Sequence, residues 1–304
     1  MIPPQNPELT DLDRAILQTV VYADVFDYPL RLGEIHRYLT GLSASPEAIS
    51  ARLSVLVPGT LSRCGDYYVL AGREQLVPRR HSREEAASRL WPYALRYGRM
   101  ITRLPFVRML AVTGSLAMNN VEETADLDYL VVTATGRLWL CRAMILALGR
   151  VAALQGIHLC PNYLISERAL EFPDQTLYAA HELAQMVPLS GLGVYERIRA
   201  VNPWVAGFLP NAAGVPAVPF QSAMAGPASK IQSVFEAILL TPVGGRLENW
   251  EMGRKVRQLY AENRNNPEAG FSADLCKGHS NRHGRRTEHH LREKLERFPV
   301  ELRP

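Results

Sequence analysis

The stretch "VTGSLAMNNVEETADLDYLVV", residues 112–132, holds two apolar runs that frame a Gly-Ser pair and two aspartates. The apolar runs predict two β-strands, the first of which ends at Gly114. Side chains two residues apart on a strand point to the same face, so Asp126 and Asp128 are expected to project together. Neighbouring carboxylates repel each other unless a cation neutralises them, and Mg²⁺ prefers such oxygen ligands. The pair therefore predicts a divalent cation site.

The Gly114-Ser115 pair predicts which ligand would bind beside this cation. Glycine lets a backbone approach a ligand closely, and the backbone N–H groups and the Ser115 hydroxyl that follow can contact an anion. The next residues, 116–120, are able to form a helical turn. The stretch therefore predicts a phosphate group bound next to a divalent cation.

An apolar strand that ends in Gly-Ser, followed about ten residues later by Asp-x-Asp on a second apolar strand, resembles the nucleotidyltransferase superfamily of the DNA polymerase β type. The resemblance covers residues 105–170. It implies that Asp126 and Asp128 are catalytic residues that bind Mg²⁺ or Mn²⁺, and that Gly114 and Ser115 hold the phosphates of a nucleoside triphosphate such as ATP. The metal ions of such a site activate an attacking hydroxyl and stabilise the leaving pyrophosphate.

One position departs from the pattern of this superfamily, whose members usually carry a third carboxylate on a later strand. The candidate strand here is "GIHLCPNYLIS", residues 156–166, and Asn162 stands where the acid is expected. An amide cannot act as a base. Three alternatives stay open: two aspartates suffice, another acid replaces the missing one, or the site binds nucleotide without turnover. The candidates for a replacement acid are Glu122, Glu123 and Glu167.

Strand alternation predicts the orientation of Asn162. A regular strand places Asn162 with Cys160 and Leu164 on one face, and Pro161 with Tyr163 on the other. We expect the face with Asn162 to meet the cleft of the aspartates.

Three basic residues outside the motif are candidates for phosphate contacts. Arg137 and Arg142 lie near the start of an apolar helix that follows Gly136, where either could reach a triphosphate. Lys277 opens the segment 277–304, which has eight Lys or Arg residues and four Glu residues. Of these residues we assign Arg142 and Lys277 to nucleotide binding.

The N-terminal region has the pattern of a winged helix. Apolar residues at helical spacing predict helices within 12–21, 32–39 and 49–56, and a Gly-Asp turn between two short β-type runs predicts a hairpin over 61–72. Winged helices often bind DNA, but the third helix offers only Arg52 to phosphates. The sequence therefore argues against DNA binding by this element.

The whole chain is expected to form an α/β core with helical additions. We assign residues 1–80 to a winged-helix domain, 81–175 to a nucleotidyltransferase domain built on a small mixed sheet, and 176–304 to a helical C-terminal region with a basic tail. A Pro- and Gly-rich connector, 210–227, lies within the last region.

Composition places the chain among soluble proteins. Apolar residues make up 47% and charged residues 21%, and the net charge is +4. No apolar run is long enough to span a membrane and the N-terminus lacks the pattern of a signal peptide, so a cytoplasmic location without membrane contact is expected. The four cysteines lack CxxC spacing. Cys276, His279 and His283 have spacing that suits zinc, but a fourth ligand is not evident unless His289 or His290 folds back. We therefore favour a positively charged surface or a substrate-contacting segment.

The function predicted from these features is transfer of a nucleoside monophosphate from a triphosphate to a hydroxyl group. The acceptor stays open: an RNA 3′ end, a small molecule or a protein side chain. The alternative is a degenerate nucleotidyltransferase domain that senses nucleotide as a binding module, and Asn162 is the residue that favours it.

Overall fold

The computed structural model of the chain describes residues 9–57, 59–122, 125–216, 230–264, 266–278 and 283–297, and it shows a mixed α/β protein. The helices are α1 (Asp11–Asp24), α2 (Leu32–Arg37), α3 (Pro46–Leu56), α4 (Leu76–Ile101), α5 (Gly114–Ala117), α6 (Leu138–Ala153), α7 (Leu177–Gln185), α8 (Leu192–Val201), α9 (Val205–Phe208), α10 (Lys230–Leu239), α11 (Pro242–Glu262) and α12 (His283–Leu295). The strands are β1 (Leu30–Arg31), β2 (Leu61–Cys64), β3 (Tyr67–Leu70), β4 (Val107–Val112), β5 (Leu127–Thr133), β6 (Leu159–Ser166), β7 (Val187–Ser190), β8 (Gly270–Phe271) and β9 (Leu275–Lys277).

The N-terminal unit consists of α1–α3 and an antiparallel sheet of order β1-β3-β2. The helices and the hairpin predicted for this region are present. Local sequence explains where the helices begin, because Thr10 and Asp13 form a capping box at α1 and Ser45 caps α3, which has proline in its first turn. Arg52 of α3 is bound within the unit, since its Nε and Nη2 atoms donate to Asp13 at 2.8 and 2.6 Å.

A six-stranded mixed sheet of order β7-β4-β5-β6-β9-β8 forms the centre of the molecule. Strand β5 pairs antiparallel with β4 and parallel with β6. Helix α6 makes the crossover that a parallel β5–β6 pair requires. The motif identified in the sequence thus lies on the adjacent strands β4 and β5, the second and third strands of the sheet.

The two faces of this sheet are covered differently. Leu127, Tyr129 and Val131 of β5 point to the face that packs against α4, α6 and the inner side of α11. Leu130 and Val132 point to the opposite face, which packs against the N-terminal unit and α7. Since side chains alternate along a strand, Asp126 and Asp128 belong to this second face.

The C-terminal region is not purely helical, contrary to our expectation. Strands β7, β8 and β9 all join the central sheet, so this sheet extends across the boundary that we placed at residue 175. The end of the run "TLYAAHELAQMVPL", residues 176–189, is one such departure from a helical region. Pro188 disfavours helical geometry at Val187, and the segment pairs with β4 as an edge strand instead. The predicted connector spans residues 210–227, and its part from 217 onward lies outside the described residues.

Among the described residues, no helix is long and apolar enough to cross a membrane.

Candidate functional site

The turn after β4 lies directly against Asp128. Gly114 has a φ angle of +64°, and a Cβ atom built on it would lie 2.6 Å from Oδ2 of Asp128. The backbone N–H of Thr113 donates to the Asp128 carbonyl oxygen at 3.0 Å, which fixes this register. Glycine is therefore required here for two reasons, its left-handed backbone and its missing side chain. Ser115 follows at the surface of the same turn.

Replacing Gly114 with alanine tests this close approach. The left-handed backbone costs an alanine about 1–2 kcal/mol, and its Cβ displaces the Asp128 carboxylate. We expect at least a tenfold loss of Mg²⁺-dependent nucleotide affinity, measured by calorimetric titration. Gly136→Ala is the matched control, because Gly136 has a φ angle of +68° but no atom within 4 Å of the new Cβ. Equal nucleotide affinity in the two variants would contradict the assignment.

The two aspartates differ in their surroundings. Asp126 is exposed, whereas Asp128 is half-buried. Burial raises the pKa of Asp128 to about 7, and the negative charge of Asp126 contributes in the same direction. A carboxylate in this setting is stabilised in its charged form by a nearby cation.

Asn162 is in direct contact with Asp128. Its Nδ2 donates a short hydrogen bond to Oδ1 of Asp128. Its Oδ1 accepts from the Cys160 thiol at 2.7 Å. The Asn162 amide is therefore hydrogen-bonded both to one carboxylate oxygen of Asp128 and to the Cys160 thiol. The hydrogen bond lowers the pKa of Asp128 and so opposes the effect of burial.

A β-bulge lies next to this contact, and it changes the strand alternation that we expected after Asn162. Asp128 pairs with Cys160 but Leu130 pairs with Tyr163, so β6 has one extra residue at Pro161-Asn162. As a result Tyr163 lies on the same face as Asn162, while Leu164 is fully buried on the opposite face. Proline has no N–H group for the ladder, which explains why the irregularity occurs there.

A cavity of about 500 Å³ opens over the aspartates, between the central sheet and the N-terminal unit. Its aromatic wall consists of Tyr22, Phe26, Tyr28 and Tyr38, all from the N-terminal unit. The sheet contributes Gly114, Ser115, Asp126, Asp128, Cys160 and Asn162, and α7 contributes Tyr178, His181, Glu182 and Gln185. Four of our predicted site residues and the third-acid position are thus brought together in one cavity.

Glu182 is a cavity residue that the sequence reasoning missed. Its half-buried carboxylate makes no hydrogen bond or ion pair with the side chains that the structure describes. Burial raises its pKa to about 7, and the charge of Asp128 adds to this rise whereas Lys277 opposes it. The signal was present in the sequence, because Tyr178, Glu182 and Gln185 recur at helical spacing within an apolar helix.

Lys277 lines a second cavity, of about 200 Å³, which shares Asn162, Tyr178 and Glu182 with the first. Its Nζ is 2.5 Å from Oδ2 of Asp174. On strand β9, Lys277 pairs with Tyr163 of β6. Asn162 therefore lies between Lys277 and the Gly-Ser turn. Lys277 is therefore positioned for a ligand in the second cavity rather than for the Gly-Ser turn.

The structure does not bring Arg142 or Arg137 to either cavity. Helix α6 packs on the face of the sheet opposite the aspartates. Arg142 lies there over the Trp139 ring, at 5.8 Å, and Arg137 donates to the Leu239 carbonyl oxygen at 3.2 Å. The assignment of Arg142 to nucleotide binding failed because the apolar pattern of α6 did not reveal which face of the sheet it covers.

None of the acids proposed as a replacement for Asn162 lies at the site in the described part of the chain. Glu122 is exposed and pairs with Arg79 and Arg83. Glu167 lies near Arg108 and lines neither cavity. Glu123 falls outside the described residues. Glu182 is instead the third carboxylate of the large cavity.

Asp126 and Asp128 are the candidate metal ligands of this site. Within the ranges that the structure describes, no group of three or more His, Cys, Asp or Glu side chains is arranged to hold a metal ion. Cys276 is buried in the sheet at 4% exposure, and His279 lies outside the described residues. A metal at Asp126 and Asp128 would therefore take further ligands from substrate and water.

His181 makes stability depend on pH. Its ring stacks on Tyr22 with centroids 3.9 Å apart, and burial lowers its pKa to about 4. The unfolded chain, with a histidine pKa of about 6.5, binds more protons between pH 6.5 and 4, so acidification through this range favours unfolding. Relative to His181→Phe, the wild-type chain should lose about 3 kcal/mol of unfolding free energy from pH 7 to pH 4. Urea unfolding at several pH values checks this, and parallel curves for the two proteins would contradict it.

Comparisons with protein-family models, with curated proteins and with solved structures find no match to this chain. The function is therefore inferred from the site itself.

Proposed function

We propose that the chain is a metal-dependent nucleotidyltransferase that moves a nucleoside monophosphate from a triphosphate to a hydroxyl group. The observation that carries the proposal is the contact of the Gly114 turn with Asp128, on a strand face that opens into a large cavity. This arrangement supports a phosphate site next to a cation site. We also propose that the central sheet has the nucleotidyltransferase fold and that the N-terminal unit is a winged helix.

The two aspartates suit a divalent cation. They project from one strand face, burial raises the pKa of Asp128, and neither aspartate forms an ion pair with the described residues. Asp126 and Asp128 would hold Mg²⁺ or Mn²⁺, with the remaining ligands from phosphate oxygens and water. A cation bound there would neutralise charge on the triphosphate and on the leaving pyrophosphate.

The protein side chains have distinct roles in the proposed transfer. Gly114 and Ser115 provide the surface for the phosphates, and Asn162 orients Asp128. Glu182 is the candidate base, since its raised pKa suits the uptake of a proton near neutral pH. In the reaction the acceptor oxygen loses its proton to Glu182 and forms a bond to the α-phosphorus, while the bond from this phosphorus to the pyrophosphate oxygen breaks.

The N-terminal unit is proposed to bind substrate rather than DNA. Its aromatic side chains form one wall of the cavity and offer a surface on which a ring of the nucleotide or the acceptor can stack. Arg52, the candidate phosphate contact of the third helix, is already bound to Asp13. This arrangement supports a substrate-specificity role for the unit.

A second candidate function is a nucleotide-sensing module without turnover. The hydrogen bond between Asn162 and Asp128 favours it, because it occupies a carboxylate oxygen with a neutral amide where a third acid is expected. Binding of nucleotide without formation of any product would support this candidate.

The purified chain incubated with each α-labelled nucleoside triphosphate and Mg²⁺ tests the proposal. Total RNA, a small-molecule extract and a protein extract serve as separate acceptors. We expect label in one acceptor fraction and release of one pyrophosphate for each label transferred. Nucleotide binding without label in any fraction would overturn the proposed transfer and leave the sensing function.

A further inference from the structure

Helices α10 and α11 form a hairpin that turns several polar side chains toward the core. Gln232 of α10 donates to the Leu104 carbonyl oxygen at 3.0 Å, and Glu236 accepts from the Phe106 N–H at 2.6 Å. On α11, Glu248 is 5% exposed and accepts from the Trp139 and Leu140 N–H groups at 2.9 and 2.8 Å. These hydrogen bonds attach the hairpin to the molecule together with inner apolar side chains, among them Leu239 and Met252.

The outer side of the same hairpin is apolar. Seven apolar side chains there are between 42% and 64% exposed, although a surface helix usually turns its apolar side chains inward. We call this set the apolar hairpin surface: Val234, Phe235, Ile238, Leu240, Val243, Leu247 and Trp250.

The area of this surface is that of a protein interface. Buried aromatic side chains cover about 150–250 Å² each, so at these exposed fractions the set presents on the order of 700 Å² of apolar area. Monomeric proteins rarely expose patches larger than about 300–600 Å². A stable dimer of standard size buries about 800 Å² on each partner.

The charge of the surface favours a second copy over a lipid membrane. Within residues 232–250 the one basic residue is Arg246. Arg254 also reaches this surface, since its guanidinium lies 5.4 Å from the centroid of the Trp250 ring, but it is paired with Glu251. Stable attachment to a membrane surface draws instead on clusters of Lys and Arg. The acidic residues Glu236 and Glu248 are turned toward the core, and Glu251 pairs with Arg254. An apolar surface without a strong charge of its own is complementary to itself, as a two-fold interface requires.

We propose that the apolar hairpin surface joins two copies of this chain in a two-fold dimer. Helices α10 and α11 of one copy pack against those of the other, with Phe235 and Trp250 as the central contacts. The interface lies on the face of the sheet opposite the aspartates, so dimerisation is independent of the proposed activity.

Sedimentation of the full chain over about a hundredfold range of concentration tests this dimer. The wild-type chain should dimerise, and Phe235→Glu with Trp250→Glu should weaken dimerisation at least about 100-fold, since buried aromatic anchors dominate such interfaces. Val151→Glu with Leu154→Glu is the matched control, because these α6-end residues are 53% and 87% exposed but lie outside the hairpin. Circular dichroism verifies that both variants fold.

Three outcomes would overturn the proposal. The first is a wild-type chain that stays monomeric at every concentration. The second is a dimer that the hairpin variant leaves intact. The third is a monomer that binds anionic lipid vesicles through Phe235 and Trp250, which would identify a membrane as the partner instead.

Discussion

Asp128→Asn is expected to lower the rate of nucleotidyl transfer at least about 1,000-fold, because the stabilisation that a metal site gives to a transition state is worth several kcal/mol. The substitution removes the negative charge of the side chain but keeps its shape. It also leaves Asn162 able to donate to the remaining oxygen, so the fold should be unaffected. Pyrophosphate release, measured at saturating nucleotide, gives the rate.

Glu122→Gln is the control for this experiment. Glu122 is an exposed carboxylate in the same loop region, paired with Arg79 and Arg83, and it lines neither cavity. Its substitution should change the rate less than about twofold. A comparable loss of rate in both variants would show that the effect of Asp128 is not specific to the cavity.

The second large effect is expected on stability, at Arg80. This side chain is 1% exposed and donates to Glu34 at 2.9 Å and to Glu84 at 2.8 Å. Its guanidinium also lies 3.7 Å from the ring centroid of Tyr28, a residue of the cavity wall. Arg80→Met would leave both glutamates without this partner and should lower the free energy of unfolding by about 3–5 kcal/mol.

The adjacent Arg79 supplies the comparison for Arg80. Its side chain is 47% exposed and forms surface ion pairs with Asp27 and Glu122. Such pairs are worth less than about 1 kcal/mol, so Arg79→Met should have a small effect in the same urea titration. If the two variants lose equal stability, the buried cluster around Arg80 does not anchor the N-terminal unit to α4.

Local sequence predicted the elements that depend on local physics. The strands on both sides of Gly114-Ser115, the short segment between them, and the shared direction of Asp126 and Asp128 follow from apolar runs and strand periodicity, and the structure contains them. The N-terminal helices were predicted because their apolar spacing and caps are encoded within each helix.

The parts that escaped prediction depend on contacts distant in sequence. Strand β9 is three residues long and exists because it pairs with β6, more than a hundred residues earlier. The position of Arg142 depends on which face of the sheet α6 covers. The face of the sheet to which Tyr163 points depends on the β-bulge where β6 pairs with β5. Helical spacing groups Glu182 with Tyr178 and Gln185, but that this group faces the aspartates depends on where α7 packs.

The most direct test of the central claim, that the cavity is a metal-dependent nucleotide site, is a calorimetric titration of the chain with a non-hydrolysable triphosphate analogue. The account predicts binding in Mg²⁺ that weakens at least about tenfold when the metal is removed, and that loses this metal dependence in Asp126→Asn with Asp128→Asn. Equal affinity with and without Mg²⁺, or a metal dependence unchanged in the double variant, would contradict it.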